Sequence, residues 1–108
     1  MGMGNTMHVT TLTQEILQIV EHEIGKQIDQ MEMEYAEFVT HLKYLAYRIV
    51  KKETVKAQEK DLLRVMSSWY QKEYLISQKI VAYVKIHYDY DISDDAVASL
   101  ILYIKRIM

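Results

Sequence analysis

The sequence predicts an all-α domain of five helices, and three observations carry that expectation. The 108-residue chain has no proline and three glycines, two of them within the first four residues, so Gly25 is the only internal one and hairpin signals are scarce. Apolar residues recur at steps of three and four along most of the chain, the helical period. Half of the residues (50%) are apolar, enough for one modest core in one domain of this length. A helical domain this small commonly gains stability by pairing with a copy of itself.

Residues 1–10 read as a flexible, Gly- and Met-containing lead, and residues 11–108 as a single helical domain. The first helix is expected from Thr11, because Thr11-Leu12-Thr13-Gln14 has the form of a capping box. Leu12, Ile16, Ile19, Val20 and Ile24 then share one face, and Gly25 marks a C-cap or a kink. The second helix is expected over 29–52. Met31, Tyr35, Phe38, Leu42, Leu45 and Ile49 alternate steps of four and three, and Val39, Ala46 and Val50 widen the stripe. That pattern makes it the main core helix. The charged stretch 51–59 reads as a helix end and a loop.

A third helix over 60–70 presents Leu62, Leu63, Met66, Trp69 and Tyr70, and residues 71–73 break the pattern. A fourth runs to Tyr88 with apolar residues on two faces, Tyr74, Leu75, Val81 and Ala82 on one and Ile76, Ile80, Tyr83 and Val84 on the other. A surface that wide fits burial on two sides or at a dimer contact. After a loop over 88–92, Ser93 is placed to cap the last helix. Asp94 and Asp95 in its first turn, with Lys105 and Arg106 in its last, match the helix dipole. Val97, Leu100, Ile101, Ile104 and Ile107 face inward.

Composition narrows the function. Without cysteine there is no disulfide framework, thiolate metal site or cysteine nucleophile. The net charge is −2, with 13 basic and 15 acidic residues interspersed, so the basic stripe of a direct nucleic-acid binder is missing. No apolar run reaches membrane-spanning length, and residues 1–9 lack the parts of a signal peptide, so a cytoplasmic protein is expected.

Beside the apolar stripe of the second helix runs a polar one: Glu34, Glu37, His41, Tyr44 and Arg48. It borders the core, so its Glu, His and Arg are expected to be partly buried in a groove. A neutral imidazole nitrogen can attack phosphorus. A guanidinium can answer phosphoryl oxygens with paired donors. Arg48 lies about 10 Å along the axis from His41 by the helix rise, within reach of a long side chain leaning back. From composition alone, a histidine beside a core stripe is more often structural.

A metal site is not expected. Di-iron bundles use Glu-x-x-His on two helices, whereas Glu37 and His41 are four apart and the pattern has no second copy. His22 lies between Glu21 and Glu23, but adjacent helical residues point about 100° apart and do not converge on one ion. No Ser-His-Asp set or Gly-rich phosphate loop is visible, so neither a cofactor nor an enzyme is expected.

The segment Phe38-Val39-Thr40-His41-Leu42-Lys43-Tyr44-Leu45-Ala46-Tyr47-Arg48-Ile49 resembles the first histidine segment of the PTS regulation domain (PRD) of bacterial sugar-operon antiterminators and activators. Residues 69–74 and 79–84 are similar to the family's middle, with Gln71 in the place of a usual proline. Residues 90–107 resemble its closing segment. The resemblance covers 12–107, one complete PRD.

It implies a five-helix bundle that dimerises. Its histidines take phosphate from the phosphocarrier HPr or a sugar permease component, and the dimer then shifts a linked RNA- or DNA-binding module. His41 matches the first phosphoacceptor and Arg48 the arginine after it. The second histidine falls at Tyr103, which cannot replace it in phosphoryl transfer but would line the phosphate pocket. Ala96 and Ser99 stand where the family usually has a glutamate and a tyrosine. No RNA-binding or helix-turn-helix module is visible. The initiator-like start and the end at Met108 lead to the expectation of a stand-alone PRD acting through a partner protein. Two functional expectations follow: a regulator sensing phosphorylation at His41, or a degenerate PRD that serves only as a dimerisation or interaction module.

Overall fold

The computed structural model describes residues 2–54 and 61–108, with side chains from His8 onward in those segments. Among the described residues there are five α-helices: α1 Gly2–Ile24, α2 Met33–Val50, α3 Leu62–Trp69, α4 Gln71–Tyr88 and α5 Asp94–Ile107. The all-α, five-helix expectation is met. Among the described residues no helix is long and apolar enough to cross a membrane.

α1 begins at Gly2, well ahead of the Thr11 start the capping pattern suggested. Thr11 lies inside the helix, and the hydroxyl of Thr13 donates back to the carbonyl of Val9 (2.7 Å) instead of capping. Val9 itself packs against the core, so the helix continues through it. Leu12, Ile16 and Val20 are fully buried, as their spacing predicts. Gly25 ends the helix. Its φ is +76°, and its N–H donates to the Glu21 carbonyl (2.9 Å), the left-handed C-terminal stop that glycine accepts without strain.

α2 starts at Met33, not Asp29, and the cause is local. The Asp29 carboxylate accepts from the Met31 N–H (2.9 Å) and the Asp29 carbonyl from the Glu32 N–H (3.1 Å), a side-chain turn that holds these residues out of the helix. Met31, expected at the head of the core stripe, is therefore 92% exposed. From Phe38 onward the stripe behaves as predicted: Phe38, Leu42, Leu45, Ala46 and Ile49 are buried.

α5 is at least as central as α2. Half of it is buried, including Val97, Leu100, Ile101 and Ile104. It packs against α2, α3 and α4, while α1 closes the bundle against α2 and α4. Ser93 caps it as expected, its hydroxyl accepting from the Ala96 N–H (3.2 Å).

Two expectations about α3 and α4 change. The helix break falls at Tyr70 (φ −123°, ψ 66°) and not at 71–73. Of the two apolar faces of α4, the one carrying Ile76, Ile80 and Val84 is buried, Tyr74 and Val81 of the other are half-buried against the core, and Leu75 stands in solvent, as does Ile86. On α3, Met66 is buried but Trp69 is 70% exposed. Most of the loop expected over 51–59, and a start of α3 at Lys60, fall on residues 55–60, outside the described residues.

The C-terminal end of α2 is tied to the α4–α5 connection. Lys52 donates to the carbonyls of Tyr88 and Asp89, and the Tyr90 hydroxyl donates to the Glu53 carbonyl (2.5 Å). Asp89 takes the left-handed conformation (φ 51°) that closes α4. These contacts pin one end of the α2–α5 pair, whose outer seam carries the polar residues.

Candidate functional site

α2 and α5 run antiparallel, and each brings a second stripe to the seam between them. From α2 come Glu37, His41, Tyr44 and Arg48. From α5 come Ala96, Ser99, Tyr103 and Arg106, also at steps of three and four. His41 sits in the middle of the seam, half-buried, with an open depression on each side.

The depression towards the start of α2 has a volume of about 420 Å³ and is lined by residues that include Glu37, Thr40, His41, Tyr44, Tyr103 and Arg106. Within it the Arg106 guanidinium Nη1 lies 3.3 Å from Glu37 Oε1. The depression towards the end of α2, about 230 Å³, is lined by His41, Tyr44, Arg48 and residues at the start of α5, including Ser93, Asp95 and Ser99. A cation therefore stands on each side of the imidazole. A more enclosed cavity of about 250 Å³ lies between the α1–α2 connection and the end of α5, but it contains no histidine and meets the polar stripes only at Glu34 and Arg106.

The Tyr103 ring stacks on the His41 ring, with centroids 4.5 Å apart and planes 15° from parallel. Tyr103 also stacks on Phe38 of the core at 6.2 Å, so it joins the core to the seam. Nε2 of His41 is shut off from solvent and makes no hydrogen bond, and the same holds for Nε of Arg48. Burial pushes the His41 pKa below its usual value of 6.5, and the Arg48 guanidinium pushes it further the same way. Both causes disfavour a charged imidazole, so at neutral pH His41 is neutral. That is the form whose unprotonated nitrogen is a nucleophile.

The three site residues expected from sequence thus share one seam, but not one pocket. Arg48 and Tyr103 flank His41 from opposite sides. Sequence reading assigned Arg106 only to dipole matching, although it lines the larger depression. The signal was present in the three- and four-residue steps of 96, 99, 103 and 106, but it becomes readable only once α5 is known to lie against α2. Among the described residues no group of three His, Asp or Glu side chains is arranged to hold a metal ion.

Five helices, with a histidine-bearing polar seam between the second and the last, define a class. The PRD domain family matches residues 14–107, and the chain belongs to that family of regulatory, non-catalytic modules. Among the relatives it resembles are the β-glucoside operon antiterminator of Dickeya chrysanthemi, 30% identical over 105 residues, which make up 97% of this chain and 37% of that protein, and transcription antiterminator LicT of Bacillus subtilis, 29% identical over 106 residues, 98% of this chain and 38% of LicT. Protein GlcT of Staphylococcus aureus is 26% identical over 103 residues, covering 92% of this chain and 36% of GlcT. The chain therefore spans little more than a third of the length of these relatives.

Proposed function

We propose that this domain is a regulatory element of phosphotransferase-system-linked transcription control, with His41 as its one phosphoacceptor. One observation carries the reading: a neutral imidazole is held half-buried between two open depressions, with Arg48 on one side and Arg106 on the other. The donor is the phosphocarrier HPr or a sugar-specific phosphotransferase component. His41 attacks the phosphorus of the donor's phosphohistidine. A new N–P bond forms, and the donor imidazole leaves with the electrons of the old one. Arg48 and Tyr103 line the acceptor, and Tyr103 holds the ring in place. The signal passes through a homodimer or a partner protein. Leu75, Ala82 and Ile86, on the outward face of α4, support such a contact, because apolar side chains in solvent gain from being covered.

Incubation with phosphorylated HPr is expected to label the wild type and leave His41→Ala unlabelled. No label, under conditions where an established PRD takes one, overturns the reading. Gel filtration is expected to show a dimer.

A second reading is favoured by the closed-off Nε2 and by the Tyr103 stack: a PRD whose His41 is structural and whose bundle only dimerises or binds a partner. It predicts no phosphorylation, and nearly unchanged partner binding and stability in His41→Gln.

A further inference from the structure

Glu37 has no evident use in accepting a phosphoryl group. It sits one helical turn before His41, lines the same depression, and carries a negative charge where an incoming phosphoryl would bring about 1.5 to 2 more. Arg106, across the seam on α5, neutralises it at 3.3 Å. Both side chains are about half exposed (54% for Arg106, 43% for Glu37), so water screens the pair and it holds only weakly. A phosphoryl group offers a guanidinium more charge and more acceptor oxygens than one carboxylate does.

We propose that the Glu37–Arg106 ion pair is a partner-exchange switch. When His41 carries a phosphoryl group, Arg106 leaves Glu37 for the phosphoryl oxygens. The freed Glu37 carboxylate is then repelled from the depression. In the resting state the Glu37 carboxylate slows phosphorylation by repelling the incoming phosphoryl, and Arg106 offsets part of that repulsion. The exchange gives the modification a mechanical consequence. It removes the side-chain tie between the first part of α2 and the last turn of α5, and turns a carboxylate towards the surface beside the new phosphate. This rests on His41 being the phosphoacceptor.

The test uses phosphoramidate, a small donor that needs no protein docking, with phosphate on His41 quantified by peptide mapping. The His41 nitrogen bonds to phosphorus, the P–N bond to ammonia breaks, and ammonia leaves with the electron pair. Glu37→Gln is expected to speed labelling of His41 by about three- to fivefold, the scale of a screened charge pair. Glu37→Asp keeps the charge and is expected to stay near the wild-type rate, while Arg106→Ala is expected to label more slowly by a similar factor. Because an opened fold would also expose His41, the gain in Glu37→Gln counts only with a urea midpoint equal to wild type, and that condition separates charge repulsion from a merely structural pair. In the wild type the Arg106 Nε–H resonance is expected to move on phosphorylation. A Glu37→Gln rate equal to or below wild type, or an Arg106→Ala rate equal to it, overturns the switch. If phosphoramidate labels His41 but phosphorylated HPr does not, the HPr-fed function fails and the switch is still judged by these rates. If neither labels His41, both fall.

Discussion

Phe38, Leu42, Leu45 and Ile49 are sealed in the core, whereas Glu37, His41 and Arg48, next to them on the same helix, remain half in solvent. α5 repeats the contrast: Val97, Leu100, Ile101 and Ile104 are buried, and Ser99, Tyr103 and Arg106 flank them on the seam. One backbone thus carries two adjoining stripes of opposite use. The core stripe holds the helices together through area removed from water. The seam stripe contributes less to that, and keeps an imidazole and two guanidinium groups partly in solvent beside two open depressions. Substitutions on the two stripes should separate cleanly into losses of stability and losses of phosphorylation.

The largest effect belongs to the core. Phe38→Ala is expected to cost about 3–5 kcal/mol, read as a shift of the urea midpoint, because it deletes a fully buried ring and leaves a cavity. His41→Ala, three positions away, should cost under about 1 kcal/mol while abolishing the label, since it removes a half-buried ring from an open seam. If His41→Ala destabilises as much as Phe38→Ala, the two stripes are not functionally distinct.

Tyr103 tests the boundary between the stripes, because it stacks on Phe38 on one side and His41 on the other. Tyr103→Ala is expected to cost about 1–2 kcal/mol, less than Phe38→Ala, from a partly buried ring and its two stacking contacts. It should also open His41 to water and bring its pKa back up towards 6.5, as an NMR titration of the imidazole would show. An unchanged titration would mean that Tyr103 does not supply the burial. Ser93→Ala, at the Arg48 end of the seam, removes the cap of α5 and is expected to cost about 1 kcal/mol in thermal melts. Its labelling should match wild type if Ser93 serves the helix alone.

Much of the core stripe was legible in the sequence, and the reasons for the exceptions differ. Leu42, Leu45 and Ile49 follow from the helical period, and the Ser93 cap from local chemistry, both of which one chain segment decides for itself. Met31 was misplaced because a side-chain turn at Asp29 overrides the period. Thr11 was misplaced as a helix start because its capping pattern lies inside a helix that Val9 carries further. Trp69, Leu75 and Ile86 are exposed because apolar periodicity reports what gains from burial, not whether a neighbour covers it. Arg106 escaped because its role depends on the pairing of α2 with α5, residues far apart in the chain.

The smallest expected effect probes the seam without removing its shape. The His41 pKa is lowered in the fold from 6.5. Well above pH 6.5 the imidazole is neutral in both folded and unfolded chains, and it adds no pH dependence. As pH falls through 6.5, the unfolded chain binds the proton first, so stability declines. Once pH passes below the folded pKa both states are protonated, and the loss levels off. His41→Gln has no proton to take up, so it should lose less stability than wild type as pH falls through 6.5, measured by urea midpoints at each pH. Parallel losses in the two proteins would show that the fold does not hold His41 neutral. The nucleophile would then be partly protonated near neutral pH, and the seam would have lost its chemical advantage over any exposed histidine.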